Sequence, residues 1–221
     1  GGGLNRYNPH SKTFSHYRHD SADPNSLSDD LVYSVLADRQ GIIWVGTRDG
    51  GLNRLDSDKT VTGKFSRYLH DPNNPTSLSG NKVYKLFEDS NDSLWVGTRG
   101  GGLNRFDAKT ESFARYRHDS NVASSLGSDY VYDIFSDKAG SLWVATEYGG
   151  LNRFDASSNA FVHYRHDSQN PHSMSGDDVM SVTQDRTGLL WLGIFGRGLS
   201  KFDPDSERFG LMQHDPNDSG S

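Results

Sequence analysis

Five His-Asp pairs are the most chemically suggestive feature of this sequence, beginning at His19, His70, His118, His166 and His214. An imidazole beside a carboxylate could bind a metal ion or act as an acid–base couple. The pairs recur once per repeat and are therefore spread out, whereas metal ligands must converge on one ion. We predict that each Asp accepts backbone N–H bonds and organises a loop, with no metal or cofactor bound. The remaining histidines fall on no common register and are expected at the surface: His10, His16, His163 and His172.

A second set of candidate residues follows each tryptophan and differs from one repeat to the next. The set comprises Arg48, Asp49, Arg99, Glu147, Tyr148, Phe195 and Arg197. Arginine forms forked hydrogen bonds and aromatic rings stack, so these side chains could hold an anionic or sugar-like ligand. The alternative is that they are ordinary solvated turn residues, because loops vary whether or not they bind. Positions shared by all repeats are explained by packing, so these variable positions are the ones free to carry function.

A repeat positions both sets of residues. The four tryptophans, Trp44, Trp95, Trp143 and Trp191, are spaced at 51, 48 and 48 residues. Gly-Leu-Asn-Arg begins at Gly3, Gly51, Gly102 and Gly150, and returns as Gly-Leu-Ser-Lys at Gly198. Three extra residues around Val61-Thr62-Gly63 account for the longer step. Three independent markers in one register identify a true repeat, which is the first feature to seek in a sequence.

Each repeat predicts four strands, which in the first complete repeat are residues 32–37, 42–46, 52–55 and 64–69. The first two strands are joined by a tight turn from Asp38 to Gly41, and no helical periodicity occurs. Four antiparallel strands in a period of 40–50 residues are typical of one blade of a β-propeller. The fold class is therefore all-β, and the Trp, Leu and aromatic positions are expected to pack between neighbouring blades.

The predicted organisation is four complete blades preceded by half of one. The half blade, with its connecting loop, occupies residues 1–28, and the blades occupy 29–79, 80–127, 128–175 and 176–221, the last ending in the loop before the next repeat. A closed ring needs whole blades, and seven of this size would need roughly 340 residues. We therefore expect a fragment or a part of an assembly. The two orphan strands would pair elsewhere, as in a homo-oligomer, or remain an exposed edge.

Composition narrows the function classes. The formal net charge is −6, with both signs interspersed and no basic run, which argues against a nucleic-acid partner. The absence of cysteine excludes disulfides and thiol chemistry. No stretch approaches roughly 18 apolar residues, so membrane contact is expected only through a part of the parent protein outside this sequence. No nucleophile triad, phosphate loop or carboxylate pair can be singled out, and we expect no enzymatic activity.

Three short motifs occur in order and carry a family resemblance. They are residues 79–98, which include Ser79-Gly-Asn-Lys-Val-Tyr and Leu94-Trp-Val-Gly-Thr, then Gly102-Leu-Asn-Arg-Phe-Asp107 and Tyr116-Arg-His-Asp119. Together they resemble the two-component regulator propeller repeat, and the likeness covers essentially the whole chain. The resemblance implies a large periplasmic propeller outside a membrane span that leads to a histidine kinase, a diguanylate cyclase or a similar output domain. It also implies ligand sensing, often of carbohydrate breakdown products.

Three hypotheses follow for the function. The first is a non-catalytic sensor segment that binds a carbohydrate or other small ligand over the face carrying the second-to-third-strand turns. The second is a scaffold or protein-interaction propeller without a small ligand. The third, which the sequence favours least, is a hydrolase or lyase built on propeller blades.

Overall fold

The computed structural model describes residues 1–56 and 63–212, which form an all-β chain. The half blade contains β1 (Leu4–Asn8) and β2 (Thr13–Tyr17). The first complete blade contains β3 (Val32–Ala37), β4 (Ile43–Thr47), β5 (Leu52–Leu55) and β6 (Ser66–Tyr68). The second contains β7 (Val83–Glu88), β8 (Leu94–Thr98), β9 (Gly102–Asp107) and β10 (Ser112–Tyr116). The third contains β11 (Val131–Ser136), β12 (Leu142–Thr146), β13 (Gly150–Asp155) and β14 (Ala160–Tyr164). The fourth contains β15 (Val179–Gln184), β16 (Leu190–Ile194), β17 (Gly198–Asp203) and β18 (Arg208–Met212).

Consecutive strands are neighbours in every sheet, giving four four-stranded sheets and the two-stranded sheet of β1 and β2. The predicted all-β fold with four-stranded antiparallel blades is confirmed, whereas the residues at which one blade gives way to the next stay a prediction. Three predicted features lie outside the described residues: the insertion at Val61 and Thr62, the His-Asp pair at His214, and the end of the last loop. Within the described ranges, no helix is long and apolar enough to cross a membrane.

The predicted strands differ from the observed ones mainly in the fourth strand. The third strand of the first complete blade is found as predicted, and the second begins one residue later, at Ile43. The fourth was expected over 64–69 but spans only Ser66–Tyr68. The backbone N–H of Phe65 donates to the carbonyl oxygen of Asn25 at 2.7 Å, in the loop before β3. The equivalent phenylalanines of the other blades make the same bond inside longer strands, so this bond does not shorten β6. The third strand is also shorter here, since β5 ends at Leu55, and β6 pairs with it over three residues.

The turn between the first and second strands is the same in every complete blade. One carboxylate oxygen of Asp38, Asp89, Asp137 or Asp185 accepts the backbone N–H four residues later, at 2.8–3.2 Å. The other oxygen accepts the indole N–H of the tryptophan six residues later, at 2.8 Å in all four turns. A buried Trp needs a partner for its one donor. The positions of Asp and Trp were predicted from the sequence, but the hydrogen bond between the indole N–H and the carboxylate was not.

The chain divides into two compact units, Gly1–Arg115 and Tyr116–Ser221. In the first unit, Trp44 packs edge-on against Phe106 of the next blade, with ring centroids 5.1 Å apart. In the second unit, Trp143 makes the corresponding contact with Phe202, at 5.7 Å. Both tryptophans are almost completely buried. The predicted role of these residues as a core between neighbouring blades is therefore confirmed within each unit.

Candidate functional site

The His-Asp pairs organise loops, as predicted. In all four described pairs the His Nδ1 lies 2.6–2.9 Å from the carbonyl oxygen eight residues later, to which the ring N–H donates. The Asp of each pair accepts the backbone N–H two residues later, at 2.8–2.9 Å. Both residues are thus committed to the backbone of their own loop. Within residues 1–56 and 63–212, no cluster of three His, Asp or Glu side chains could hold a metal ion.

Two other histidines do share a register, contrary to the prediction, and His163 does not lie fully at the surface, whereas His16 is exposed as predicted. His16 and His163 lie at the same place in the fourth strand, one residue before Tyr17 and Tyr164. His163 is half-buried, and its Nδ1 lies 2.7 Å from Oδ1 of Asn152 and its Nε2 3.1 Å from the carbonyl oxygen of Ala123. Burial, with the nearby charge of Arg165, lowers the pKa of His163. The register was obscured because the other complete blades carry Arg67, Arg115 and Leu211 at this position.

The candidate ligand-binding residues lie in the turns between second and third strands. Within each unit these turns are joined to the loop before a first strand. The backbone N–H groups of Arg48 and Arg99 donate to the carbonyl oxygens of Leu31 and Lys82, both at 2.9 Å. Glu147 and Phe195 make the same bond to Tyr130 and Asp178, at 3.0 and 2.9 Å. The turns and these loops therefore share one end of the strands, as the chain direction predicted.

In the first unit, this end carries two tyrosines in contact, with charged side chains around them. The rings of Tyr33 and Tyr84 are 4.8 Å apart and inclined by 60°. The Arg99 guanidinium lies 5.9 Å from the centre of the Tyr84 ring, a cation–π distance. Desolvation, with the neighbouring Tyr84, raises the pKa of Tyr33. We name Tyr33, Tyr84, Arg48, Asp49 and Arg99 the tyrosine patch.

The charged members of the tyrosine patch are partly paired. Nε of Arg48 donates to a carboxylate oxygen of Asp49 at 2.7 Å, and both side chains are half-exposed. The other oxygen of Asp49 lies 3.9 Å from Nζ of Lys82. The hydrogen bond to Asp49 raises the pKa of Arg48. Exposed ion pairs of this kind are weak, so Arg48 and Lys82 can each leave Asp49 and bind a ligand instead.

In the second unit, Glu147, Tyr148 and Phe195 line a small pocket of about 120 Å³ together with Tyr132, Asp178 and Met180. The Tyr132 hydroxyl donates to Oε2 of Glu147 at 2.9 Å. Tyr148 and Phe195 are 71% and 69% exposed, which is unusual for such large aromatic side chains. Arg197 belongs to the same turn as Phe195 and is exposed, with its aliphatic stem beside Gly176.

The backbone of Tyr148 is left-handed, with φ of 60°. Glycine occupies the same turn position in two other repeats, where φ is 93° at Gly100 and 66° at Gly196. Only glycine adopts this conformation without steric cost. A bulky exposed ring held there is the kind of outlier that concentrates at functional positions.

Sequence reasoning missed the tyrosines of the first strands. Tyr33, Tyr84 and Tyr132 each follow the valine that opens a first strand, and Met180 takes this place in the fourth blade. Because the position is nearly invariant among the repeats, it was interpreted as packing. The exposure of these three tyrosine rings was the missing information. The assignment of the turn residues to ligand binding stays a prediction.

Three segments of the chain match the family described as two component regulator propeller: residues 26–49, 77–100 and 125–148. These segments are two-component regulator propeller repeats. Each runs from the serine of the connecting loop, through the first and second strands, into the variable turn. The resemblance found from the sequence motifs is thereby confirmed, and five of the seven candidate residues lie inside repeat segments.

Similar proteins place these repeats in context. The chain is 32% identical over 77 residues to histidine kinase P4 of Formosa agariphila, a stretch covering 35% of this chain and 5% of that protein. It is also similar to the extracellular domain of a B. thetaiotaomicron protein named as a hybrid two component system. That match has 27% identity and a TM-score of 0.77, and covers 95% of this chain and 27% of the other.

More distant structures share the fold. A second extracellular domain from B. thetaiotaomicron, named as a one component system, has 23% identity and a TM-score of 0.61, over 96% of this chain and 35% of that one. A gluconolactonase from Xanthomonas campestris has 13% identity and a TM-score of 0.54, over 82% of this chain and 62% of that one. The chain therefore spans well under half the length of its receptor-like relatives.

Proposed function

We propose that this chain is a segment of an extracellular, periplasmic sensor domain of a two-component-type receptor. The observation that carries the proposal is the near-complete coverage of this chain by an extracellular domain named as a hybrid two component system, at 27% identity. Three matching family repeats support it. The output domain of the receptor, and any contact with a membrane, belong to the parent protein.

The tyrosine patch is the proposed ligand site of the first unit. Aromatic rings present flat apolar faces on which a sugar ring can stack, and Tyr33, 46% exposed beside Tyr84, offers such a face. Arg99 and Arg48 supply planar donors for hydroxyl or carboxylate groups. This combination favours a carbohydrate, with preference for one that bears an acidic group.

A non-catalytic role fits the positions of the perturbed carboxylates. Hydrogen bonds from Ser158 and Ser157 lower the pKa of Asp155 to about 2. Thr187 and Trp191 hold the pKa of Asp185 well below its ordinary value. Both carboxylates are partly buried acceptors whose hydrogen bonds lie within turns. Perturbed pKa values are a useful guide to active sites, and here they coincide with turn geometry.

The proposal is tested by calorimetric titration of the chain with a library of neutral and uronate-containing oligosaccharides. We expect binding of at least one acidic oligosaccharide, and about a tenfold or larger loss of affinity in Arg99→Ala and in Tyr84→Ala. Tyr148→Ala tests whether the pocket of the second unit takes part. Arg186→Ala is the matched control, because Arg186 is an exposed arginine in a turn between first and second strands.

The outcomes separate the three hypotheses. Binding that Arg186→Ala weakens as much as Arg99→Ala would contradict the tyrosine patch as the site. No binding of any oligosaccharide in the library would count against the sensor hypothesis and favour a scaffold role. Turnover of any oligosaccharide, measured by product release, would favour the hydrolase or lyase.

A further inference from the structure

The pocket of the second unit combines aromatic rings with negative charge. It has a volume of about 120 Å³ and lies beside the second-to-third-strand turns of the third and fourth blades. Its walls are three aromatic rings, one thioether and two carboxylates: Tyr132, Tyr148, Phe195, Met180, Glu147 and Asp178. No lysine or arginine lines it among the residues that the structure describes. We name these six residues the acidic aromatic pocket.

The same six repeat positions in the first unit carry the opposite charge. Counted from the tryptophan of each blade, and in the order used above, they are Tyr33, Asp49, Arg99, Tyr84, Arg48 and Lys82. Three of these side chains are cationic and one is anionic, whereas the acidic aromatic pocket has two anions and no cation. The backbone frame is the same, since the N–H groups of Arg99 and Phe195 both donate to the carbonyl oxygen of the preceding loop at 2.9 Å. The two sites therefore differ in the charge of the ligand that suits them.

Both carboxylates of the acidic aromatic pocket are held in place by hydrogen bonds. The Tyr132 hydroxyl donates to Oε2 of Glu147 at 2.9 Å, and the backbone N–H of Tyr148 donates to Oδ1 of Asp178 at 2.8 Å. Both acidic residues are partly buried. A carboxylate offers about four lone-pair sites, so a hydrogen bond to one oxygen leaves it further acceptor capacity. The negative charge is thus positioned beside the rings before any ligand binds, which lowers the cost of binding.

The size and the lining of the pocket favour a compact organic cation. Pockets for drug-sized ligands have volumes of roughly 300–1,000 Å³, so this one holds only a small group. Its volume equals about four water molecules at roughly 30 Å³ each, which suits a nitrogen atom that bears methyl groups. Aromatic faces attract such a cation through their negative quadrupole, and the two carboxylates add to the attraction. A metal ion needs more ligands, and within residues 1–56 and 63–212 no group of three suitable side chains occurs.

We propose that the acidic aromatic pocket binds the quaternary ammonium group of a small soluble ligand, of the kind that choline carries. The methylated nitrogen lies among the rings of Tyr132, Tyr148 and Phe195, and Glu147 and Asp178 balance its charge. This site shares no residue with the tyrosine patch and takes a ligand of the opposite charge. It goes beyond the proposed sensor function and holds whether or not the tyrosine patch binds a carbohydrate.

The first experiment titrates the full chain, labelled with nitrogen-15, with choline chloride at constant ionic strength. The backbone amide signals of Tyr148 and Phe195 report on the pocket in the NMR spectrum. We expect these signals to shift saturably, with a Kd in the millimolar range. The matched ligand control is the neutral isostere of choline, in which a carbon atom replaces the nitrogen. We expect it to bind about tenfold more weakly, because it fills the same volume without the charge.

A second experiment repeats the choline titration on variants of the pocket. Tyr148→Ala and Phe195→Ala should each weaken binding about tenfold, and both should fold because the two rings are exposed. Glu147→Gln keeps an acceptor for the Tyr132 hydroxyl but removes the charge, and should weaken binding about threefold. Tyr130→Ala is the matched control, since Tyr130 is a tyrosine of the second unit that is 42% exposed and does not line the pocket.

Equal affinities for choline and its carbon isostere, or amide signals that choline does not shift, would overturn the proposal. Undiminished choline binding in both Tyr148→Ala and Phe195→Ala would place the cation elsewhere and overturn it too. Tighter binding of acetate than of choline at the same amides would assign the pocket to anions, as in the first unit. The outcome of the oligosaccharide titration bears on the tyrosine patch and changes none of these results.

Discussion

The turns at the two ends of the strands differ in how much their side chains vary from blade to blade. At one end, the turns between first and second strands have the same contacts in all four blades, with Asp bridging the backbone and the indole N–H. At the other end, the turns between second and third strands share their backbone contacts but differ in most exposed side chains, with the same residue type repeated only at Arg48 and Arg99. The difference teaches that the uniform end satisfies the buried tryptophan, while the variable end is free to recognise ligands.

The largest effect is expected when one of the aspartates that bridge the backbone and the indole is removed. In Asp137→Ala, the indole N–H of buried Trp143 and the N–H of Ser141 lose their acceptor. Hydrogen bonds to a charged group, together with the penalty for a buried unpaired donor, predict a loss of about 2–4 kcal/mol in the free energy of unfolding.

Urea unfolding followed by tryptophan fluorescence measures this loss. Asp137→Asn provides a graded control, because its amide oxygen still accepts a backbone N–H but its NH2 group cannot accept the indole. It should lose about half as much. A change under 0.5 kcal/mol in Asp137→Ala would show that the bridge is dispensable and that the two ends do not differ in this way.

A smaller effect is expected at the base of the variable turns. The hydroxyl of Thr146 donates to the carbonyl oxygen of Gly150 at 2.9 Å and lies 3.1 Å from the Asn152 amide nitrogen, fully buried. Thr146→Val keeps the shape but removes these bonds, and should cost about 1–2 kcal/mol of unfolding free energy. Thr98→Val, at the same turn position, should behave alike. The fourth blade has Ile194 at this position and lacks the hydroxyl. An unchanged free energy of unfolding in both variants would show that the fold does not need the hydroxyl.

A gain in stability is expected at the tip of the variable turn in the second unit. Tyr148 has a left-handed backbone. Tyr148→Gly should raise the free energy of unfolding by about 0.5–1 kcal/mol, because the strain removed from the folded state exceeds the stability lost through the larger entropy of the unfolded chain. Asp49→Gly is the matched control, because Asp49 does not share the positive φ. Thermal unfolding measures both variants. A loss of stability in Tyr148→Gly would mean that the ring stabilises the fold and is not retained for recognition.

The smallest effect is a pH dependence. Because the folded protein lowers the pKa of His163, the unfolded chain binds the proton more readily. The stabilisation is therefore complete above the unfolded pKa of roughly 6.5 and is lost as the pH falls through the folded value. His163→Arg restores the residue type of Arg67 and Arg115, and should show a smaller fall in Tm between pH 7.5 and pH 5.5 than the parent chain. Identical falls would exclude His163 as a contributor.

The accuracy of the sequence analysis depends on the range of the contacts involved. The period, the strand order, the Asp turns and the His-Asp loops follow from residues close together in the chain, and all were predicted. The shortened fourth strand was not, because it accompanies a third strand, β5, that ends at Leu55 instead of continuing to the aspartate as in the other complete blades. The shared position of His16 and His163 was available from spacing alone but was hidden by arginine in the intervening blades.

By itself, the sequence determined the blade type, the placement of Trp and Asp, and the turns in which the repeats disagree. The tertiary structure decided that Asp and Trp form one unit, that Tyr33 meets Tyr84, and that Tyr148 is left-handed and shares a pocket with Phe195. The physical reason is that a blade's own hydrogen bonds arise from local pattern and turn chemistry. The faces of a blade are buried only where a neighbouring blade packs against them. Contacts between blades were therefore outside the reach of the sequence pattern alone.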